Sequence, residues 1–112
     1  MNIQIFGSKK SPESRKAERY FKERGIKFQY IDMSQKEMSR GELQSIAATV
    51  GTDALIDRET RDRESLLLIT YSPEDLVLEK LYENQDVIKL PVVRNGRKAT
   101  VGYAPDVWKT WD

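Results

Sequence analysis

Between Asn2 and Asp32 the chain changes its apolar period twice, from about two to about 3.6 and back, and no other stretch limits the fold so tightly. Asn2-Ile3-Gln4-Ile5-Phe6 alternates polar and apolar, which reads as a strand with Ile3 and Ile5 on one face, ended by Gly7. Ser11-Pro12-Glu13 is a helix start, with Ser11 as N-cap, Pro12 at the first helical position and Glu13 in the first turn. Ala17, Tyr20 and Phe21 then fall on one buried face, while Lys16, Glu18, Arg19, Lys22 and Glu23 face water. Gly25 suits the C-terminal cap, and Phe28, Tyr30 and Asp32 alternate with Gln29 and Ile31 as a second strand. A strand–helix–strand of this length predicts a parallel pair joined by a right-handed crossover.

The polar turn Ser8–Arg15 lies where a strand feeds a helix. Free N–H groups at the helix start make such corners anion-friendly. Two readings of it stay open. Ser11 is the helix cap, or Ser11, Ser14 and Arg15 form an anion site aided by Lys9 or Lys10.

Beyond the linker Met33–Met38, Ser39 and Glu42 read as a capping box for a helix carrying Leu43, Ile46, Ala47 and Val50, closed by Gly51. Thr52–Arg63 reads as a charged loop anchored by Ala54-Leu55-Ile56, with a turn of helix at most. Leu66–Tyr71 fits either a buried strand or a short helix. Ser72-Pro73-Glu74-Asp75 repeats the cap, proline and acidic-turn signature and predicts a helix to about Asn84, with Leu78, Leu81 and Tyr82 inward. Leu90–Arg94 and Arg97–Val101 then flank Asn95-Gly96, a favoured hairpin turn, and Pro105-Asp106 opens a short helix bearing Val107, Trp108 and Trp111. The two tryptophans are expected to cover the sheet, unless one is an exposed partner anchor.

The order is β-α-β, a helical middle, β-β and α. It predicts an α/β fold: a mixed four-stranded sheet with helices on its faces, a thioredoxin-like arrangement in a single domain over 1–112 with a helical insertion at about 38–86. Charge narrows the partners: 19 Lys+Arg against 18 Asp+Glu give no general reason to bind nucleic acid directly, nor an anionic membrane. Leu66-Leu67-Leu68-Ile69, the longest aliphatic run, is too short to cross a bilayer, and Met1 leads straight into a strand pattern. A cytoplasmic protein is expected. The absence of both Cys and His excludes thiolate chemistry, zinc held by thiolate or imidazole, and a histidine-activated serine. No cofactor or metal is expected.

At this point the residues resemble a family, the arsenate reductase-like proteins of the thioredoxin-fold superfamily, which includes the Spx transcriptional regulators. Ile5-Phe6 followed by Ser11-Pro12-Glu13-Ser14-Arg15-Lys16-Ala17 is similar to the family's Cys-x-x-Ser-Arg or Cys-x-x-Cys-Arg loop and first helix. Gly25-Ile26, Ile31-Asp32 and Met38-Ser39-Arg40-Gly41-Glu42-Leu43 resemble the segments that follow it. Leu90-Pro91-Val92-Val93 looks like the Arg-Pro-Ile-Val segment, where the resemblance implies a structural cis peptide at Pro91 facing the reactive loop. Val101-Gly102-Tyr103 and Trp108 resemble the ending. No single motif is decisive; order and spacing over nearly the whole chain carry the likeness.

The departures bear on function. Ser11 stands at the family's nucleophilic cysteine, so the redox cycle the resemblance implies has no first step. Leu90 replaces one oxyanion-binding arginine and Tyr103 falls near another, while Arg58, in Ile56-Asp57-Arg58-Glu59-Thr60, looks like the surviving third. Arg58 itself reads as a solvated or ion-paired loop residue, with a ligand or partner contact as the alternative. Two functions follow. One is a redox-inert protein-binding or regulatory module, for which the Spx likeness implies a subunit of RNA polymerase as partner. The other is an arsenate reductase-like or glutaredoxin-like enzyme, or a binder of a small oxyanion or glutathione, in which Ser11 holds the cysteine position by nature or by exchange.

Overall fold

The computed structural model describes residues 1–111. It falls into two compact units, Met38–Lys89 and the segments on either side of it, Met1–Glu37 and Leu90 onward.

The flanking segments build the sheet. Strands β1 (Ile3–Gly7), β2 (Phe28–Asp32), β3 (Val92–Asn95) and β4 (Lys98–Val101) stand in the order β2-β1-β3-β4. β1 pairs parallel with β2, Ile3 opposite Phe28 and Gly7 opposite Asp32, and antiparallel with β3, Ile3 opposite Asn95 and Phe6 opposite Val92. The mixed sheet is the one the period changes predict, because a twelve-residue helix, α1 (Pro12–Glu23), carries the chain back between β1 and β2. α1 begins and ends as its sequence directs. Ser11 caps it, Pro12 opens it, and at its far end Gly25 N–H and Ile26 N–H donate to Lys22 and Phe21 carbonyls. Ile3, Ile5, Val93, Ala17, Tyr20 and Phe21 share a buried cluster with Trp108 and Trp111. Helix α1 and the terminal helix α5 (Pro105–Trp108) therefore both pack on the face that Ile3 and Ile5 present. Both tryptophans are buried, so neither is an exposed anchor.

The hairpin differs from expectation by one residue. Asn95 pairs with Lys98, so the two turn residues are Gly96 and Arg97, not Asn95 and Gly96. Gly96 has a φ of 62°, and among the described residues no non-glycine has positive φ; this is the pattern of a II′ turn, with glycine first. The tertiary pairing decides it. Asn95 lies opposite Ile3 in the sheet, and its Oδ1 accepts from Asn2 N–H at 3.1 Å, which extends β3 by one position.

Met38–Lys89 is helical: α2 (Arg40–Val50), α3 (Arg63–Thr70) and α4 (Val77–Glu83), with single 3₁₀ turns at Asp53–Leu55, Glu74–Leu76 and Gln85–Val87. The Ser39/Glu42 capping box forms in full, and Gly51 closes α2. The ambiguous stretch Leu66–Tyr71 is helix, because Asp62 accepts from Ser65 N–H at 3.1 Å and caps it, and Leu66 and Ile69 fill its inner face. The helix expected to open at Ser72-Pro73 instead begins at Val77. Ser72 spends its hydroxyl on the Leu68 carbonyl behind it, at 2.6 Å, and Pro73 is extended (φ −55°, ψ 144°). Of the three residues expected inward on α4, Leu81 is fully buried, and Leu78 and Tyr82 are half-buried. Arg40 pairs with Glu79 and lies 4.3 Å over the Tyr82 ring.

Candidate functional site

The strand-to-helix corner is closed by its own hydrogen bonds. Ser11 Oγ accepts from Ser14 N–H at 3.1 Å, and the Ser11 carbonyl accepts from Arg15 N–H at 3.2 Å. Ser11 N–H itself donates to the Ser8 carbonyl at 3.0 Å. Ser14 is fully buried, and its Oγ accepts from Ser8 N–H at 3.3 Å. Arg15 folds back over the turn, and its Nη1 donates to the Lys9 carbonyl at 2.7 Å. Pro12 has no N–H to offer. The Ser11 and Ser14 hydroxyls, the Ser14 and Arg15 N–H groups and one Arg15 guanidinium nitrogen are thus engaged within the turn. Ser11→Ala removes the cap acceptor and is expected to lower stability by about 1 kcal/mol, read by chemical denaturation. No change would mean that the cap bond contributes nothing net.

Arg58 stands in the other unit. Its Nη2 donates to Asp53 Oδ1 at 2.8 Å, and its carbonyl accepts from Arg63 Nη1 at 2.9 Å. With Thr52, Asp53, Ile56, Ile69, Thr70 and others it lines an open cleft of about 480 Å³. The pairing with Asp53 is the ion-paired loop role. The Leu90–Pro91 peptide is cis, and Pro91 is buried.

Sequence reasoning passed over Tyr30, although its place on β2 opposite Ile5 puts it beside the corner. A Cβ built on Gly7 would lie 2.7 Å from Tyr30 Oη and 2.9 Å from Ser14 Oγ, so the strand end must be glycine for these hydroxyls to approach. Burial first, then the Glu18 and Asp32 carboxylates, push the Tyr30 phenol above its ordinary value, against a lowering hydrogen bond with Ser14. A raised folded-state value favours the neutral phenol. That stabilisation is present below about pH 10 and is lost as pH rises through the folded value. Unfolding measured across the alkaline range is expected to show this loss, and Tyr30→Phe to remove part of it. An identical alkaline slope in both proteins would refute the assignment.

No cluster of three or more Asp, Glu, His or Cys able to hold a metal ion occurs among the described residues. No helix among them is long and apolar enough to cross a membrane.

Comparison with known proteins matches this architecture. The global transcriptional regulator Spx 2 of Oceanobacillus iheyensis is 28% identical over 109 residues, spanning 95% of this chain and 80% of the relative. An ArsC family related protein from Bacteroides fragilis superposes with a TM-score of 0.83 at 18% identity, covering 100% of this chain and 98% of that one. An arsenate reductase from Vibrio cholerae gives 0.80 at 22%, covering 96% and 94%. These likenesses place the four-stranded sheet and its helices in the thioredoxin-like fold. The sequence pattern of the ArsC family matches residues 6–111, from the end of the first strand to the last buried tryptophan. With that span matched, the chain belongs to the ArsC family, and it carries no cysteine.

Proposed function

We propose that this chain is a redox-inert, protein-binding regulatory module of the Spx type, carried on one thioredoxin-fold domain with a helical insertion. The observation that carries the reading is the state of Ser11. Its hydroxyl, which the resemblance sets at the nucleophile position, is committed as the acceptor of a helix cap, in a sequence without a single cysteine. A serine hydroxyl cannot exchange disulfides, and no resolving thiol exists to complete a cycle. The transcriptional relative supports a regulatory role, with a subunit of RNA polymerase as the partner the Spx likeness implies and the cytoplasm as its location.

The test is capture of purified RNA polymerase by the full chain, in reducing and in oxidising buffer. Equal capture in both is expected, since nothing in the chain senses thiol redox state. No binding at micromolar concentration would remove the polymerase from the reading. Titration of the labelled chain with phosphate, arsenate, sulfate and glutathione addresses the alternative enzyme or anion binder. The closed hydrogen bonds of the turn support the expectation that millimolar ligand leaves the Ser11, Ser14 and Arg15 resonances in place; saturable shifts there would favour the anion reading instead.

A further inference from the structure

Lys16, Arg19, Tyr20 and Glu23 recur at i, i+3, i+4 and i+7, so α1 stacks them in one row, the charged three exposed and Tyr20 buried. Arg24 follows at the helix end, and Tyr103 arrives from the segment after β4. The six residues line an open groove of about 450 Å³. Two of its three cations, Arg24 and Lys16, lie over aromatic rings. The Arg24 guanidinium lies 3.8 Å from the Tyr20 ring centre and donates to the Tyr20 carbonyl at 3.1 Å. Lys16 Nζ lies 5.9 Å from the Tyr103 ring, which meets Trp108 edge-on at 5.5 Å. Among the described residues none of Lys16, Arg19 and Arg24 forms an ion pair.

The lining has three cations and one carboxylate, Glu23, whereas the whole chain nets +1. The groove therefore holds more positive charge than the molecule does, and the rest of the chain is net negative. That distribution selects among polyanions. A nucleic-acid strand needs cations along several successive phosphates, and outside this groove it would meet a net-negative chain. A short acidic peptide asks for only two or three cations in one place, and the half-exposed Tyr103 ring offers flat surface to an apolar or aromatic residue beside the acids. Arginine held on a ring also has less conformational freedom left to lose on binding.

We propose that this α1 groove is the docking site for an acidic segment of a partner protein, with Lys16, Arg19 and Arg24 receiving its carboxylates and the exposed Tyr103 its apolar side chain. The inference rests on the protein-binding reading and names the chemistry of the partner. The test is an NMR titration of the full, isotope-labelled chain with a short Glu-rich peptide containing one tyrosine, with a Lys-rich peptide and oligothymidylate alongside. The Glu-rich peptide is expected to shift the Lys16, Arg19, Arg24 and Tyr103 amides saturably. Joint Lys16→Glu and Arg19→Glu replacement of these exposed residues, with far-ultraviolet dichroism confirming the fold, is expected to weaken that binding by roughly tenfold or more. Unmoved groove resonances, an affinity unchanged by the charge reversals, or stronger binding of oligothymidylate would each overturn the proposal. Polymerase capture is read separately. If the native chain captures polymerase while the peptide leaves the groove unmoved, the groove is not the docking site and the protein-binding reading survives. A groove that takes the peptide in a chain that captures no polymerase removes the polymerase and keeps the groove.

Discussion

Trp108→Ala is expected to lower the free energy of unfolding by about 3–5 kcal/mol, the range for deleting a fully buried aromatic side chain. The indole is 3% exposed and contacts three other rings, Tyr20 and Phe21 at centroid distances of 5.1 Å and Tyr103 at 5.5 Å. It is the largest side chain of a four-residue helix that has no side-chain cap. Alanine would leave a void between α1 and α5, and α5 has little else to hold it in place. The indole Nε1–H also donates to Thr100 Oγ1 at 2.8 Å, tying the helix to β4. Trp108→Phe separates the two contributions: it keeps most of the ring area and loses the hydrogen bond, a loss of about 1 kcal/mol on top of the smaller ring. Denaturant unfolding followed by circular dichroism reads both variants. A cost below 1 kcal/mol for the alanine variant would mean that α5 does not depend on the indole.

The second large effect belongs to Gln85, a buried polar residue that no motif singles out. Its amide grips one backbone residue from both sides. Oε1 accepts from Met38 N–H at 2.8 Å and Nε2 donates to the Met38 carbonyl at 2.9 Å, so the first residue of the helical unit is tied to its final turn. Gln85→Leu fills the space but leaves a buried donor and a buried acceptor unpaired, and is expected to cost about 2–4 kcal/mol. Gln85→Glu gives a sharper test. At neutral pH its carboxylate can accept from Met38 N–H but faces the Met38 carbonyl with a second negative oxygen. Protonation restores a donor in the place of Nε2. The folded-state value of this carboxyl is therefore expected above the ordinary glutamate range of about 4.3. A raised value makes the variant regain stability as pH falls through it, the reverse of ordinary acid loss. A Gln85→Glu protein that only loses stability on acidification would show that the amide is not acting as both donor and acceptor.

The contrast between these residues shows where sequence is informative. Ser11-Pro12 and the Ser39/Glu42 pair act within one helical turn, so their roles are written in adjacent letters and the structure realises them as read. Ser72-Pro73 carries the same letters and does something else, because Ser72 was already taken by the carbonyl of the preceding helix. Gln85 was not legible at all. Its partner lies 47 positions away, and nothing local distinguishes it from a solvent-facing glutamine. The candidate site divides in the same way. That Ser11 sits at a helix N-terminus is local; that Tyr30 crowds Gly7 and Ser14 depends on the parallel register of β1 and β2. Lys16, Arg19 and Glu23 are legible as the water-facing side of a helix, but the groove they line is not, because Tyr103, far along the chain, completes it.

The strand order has a consequence for how the molecule is made. β1 sits at the middle of the sheet, yet one of its two neighbours, β3, lies on the far side of Met38–Lys89 in the chain. On a ribosome adding about 5–20 residues per second, β1, α1 and β2 are complete on the order of ten seconds or less before Val92–Asn95 emerges. During that interval one edge of β1 shows unpaired backbone groups beside Ile3, Ile5 and Phe6, and a chaperone or a second nascent chain would find its opening there. Closing that edge requires a long-range pairing, so the late step of synthesis is also expected to be the slow step of folding.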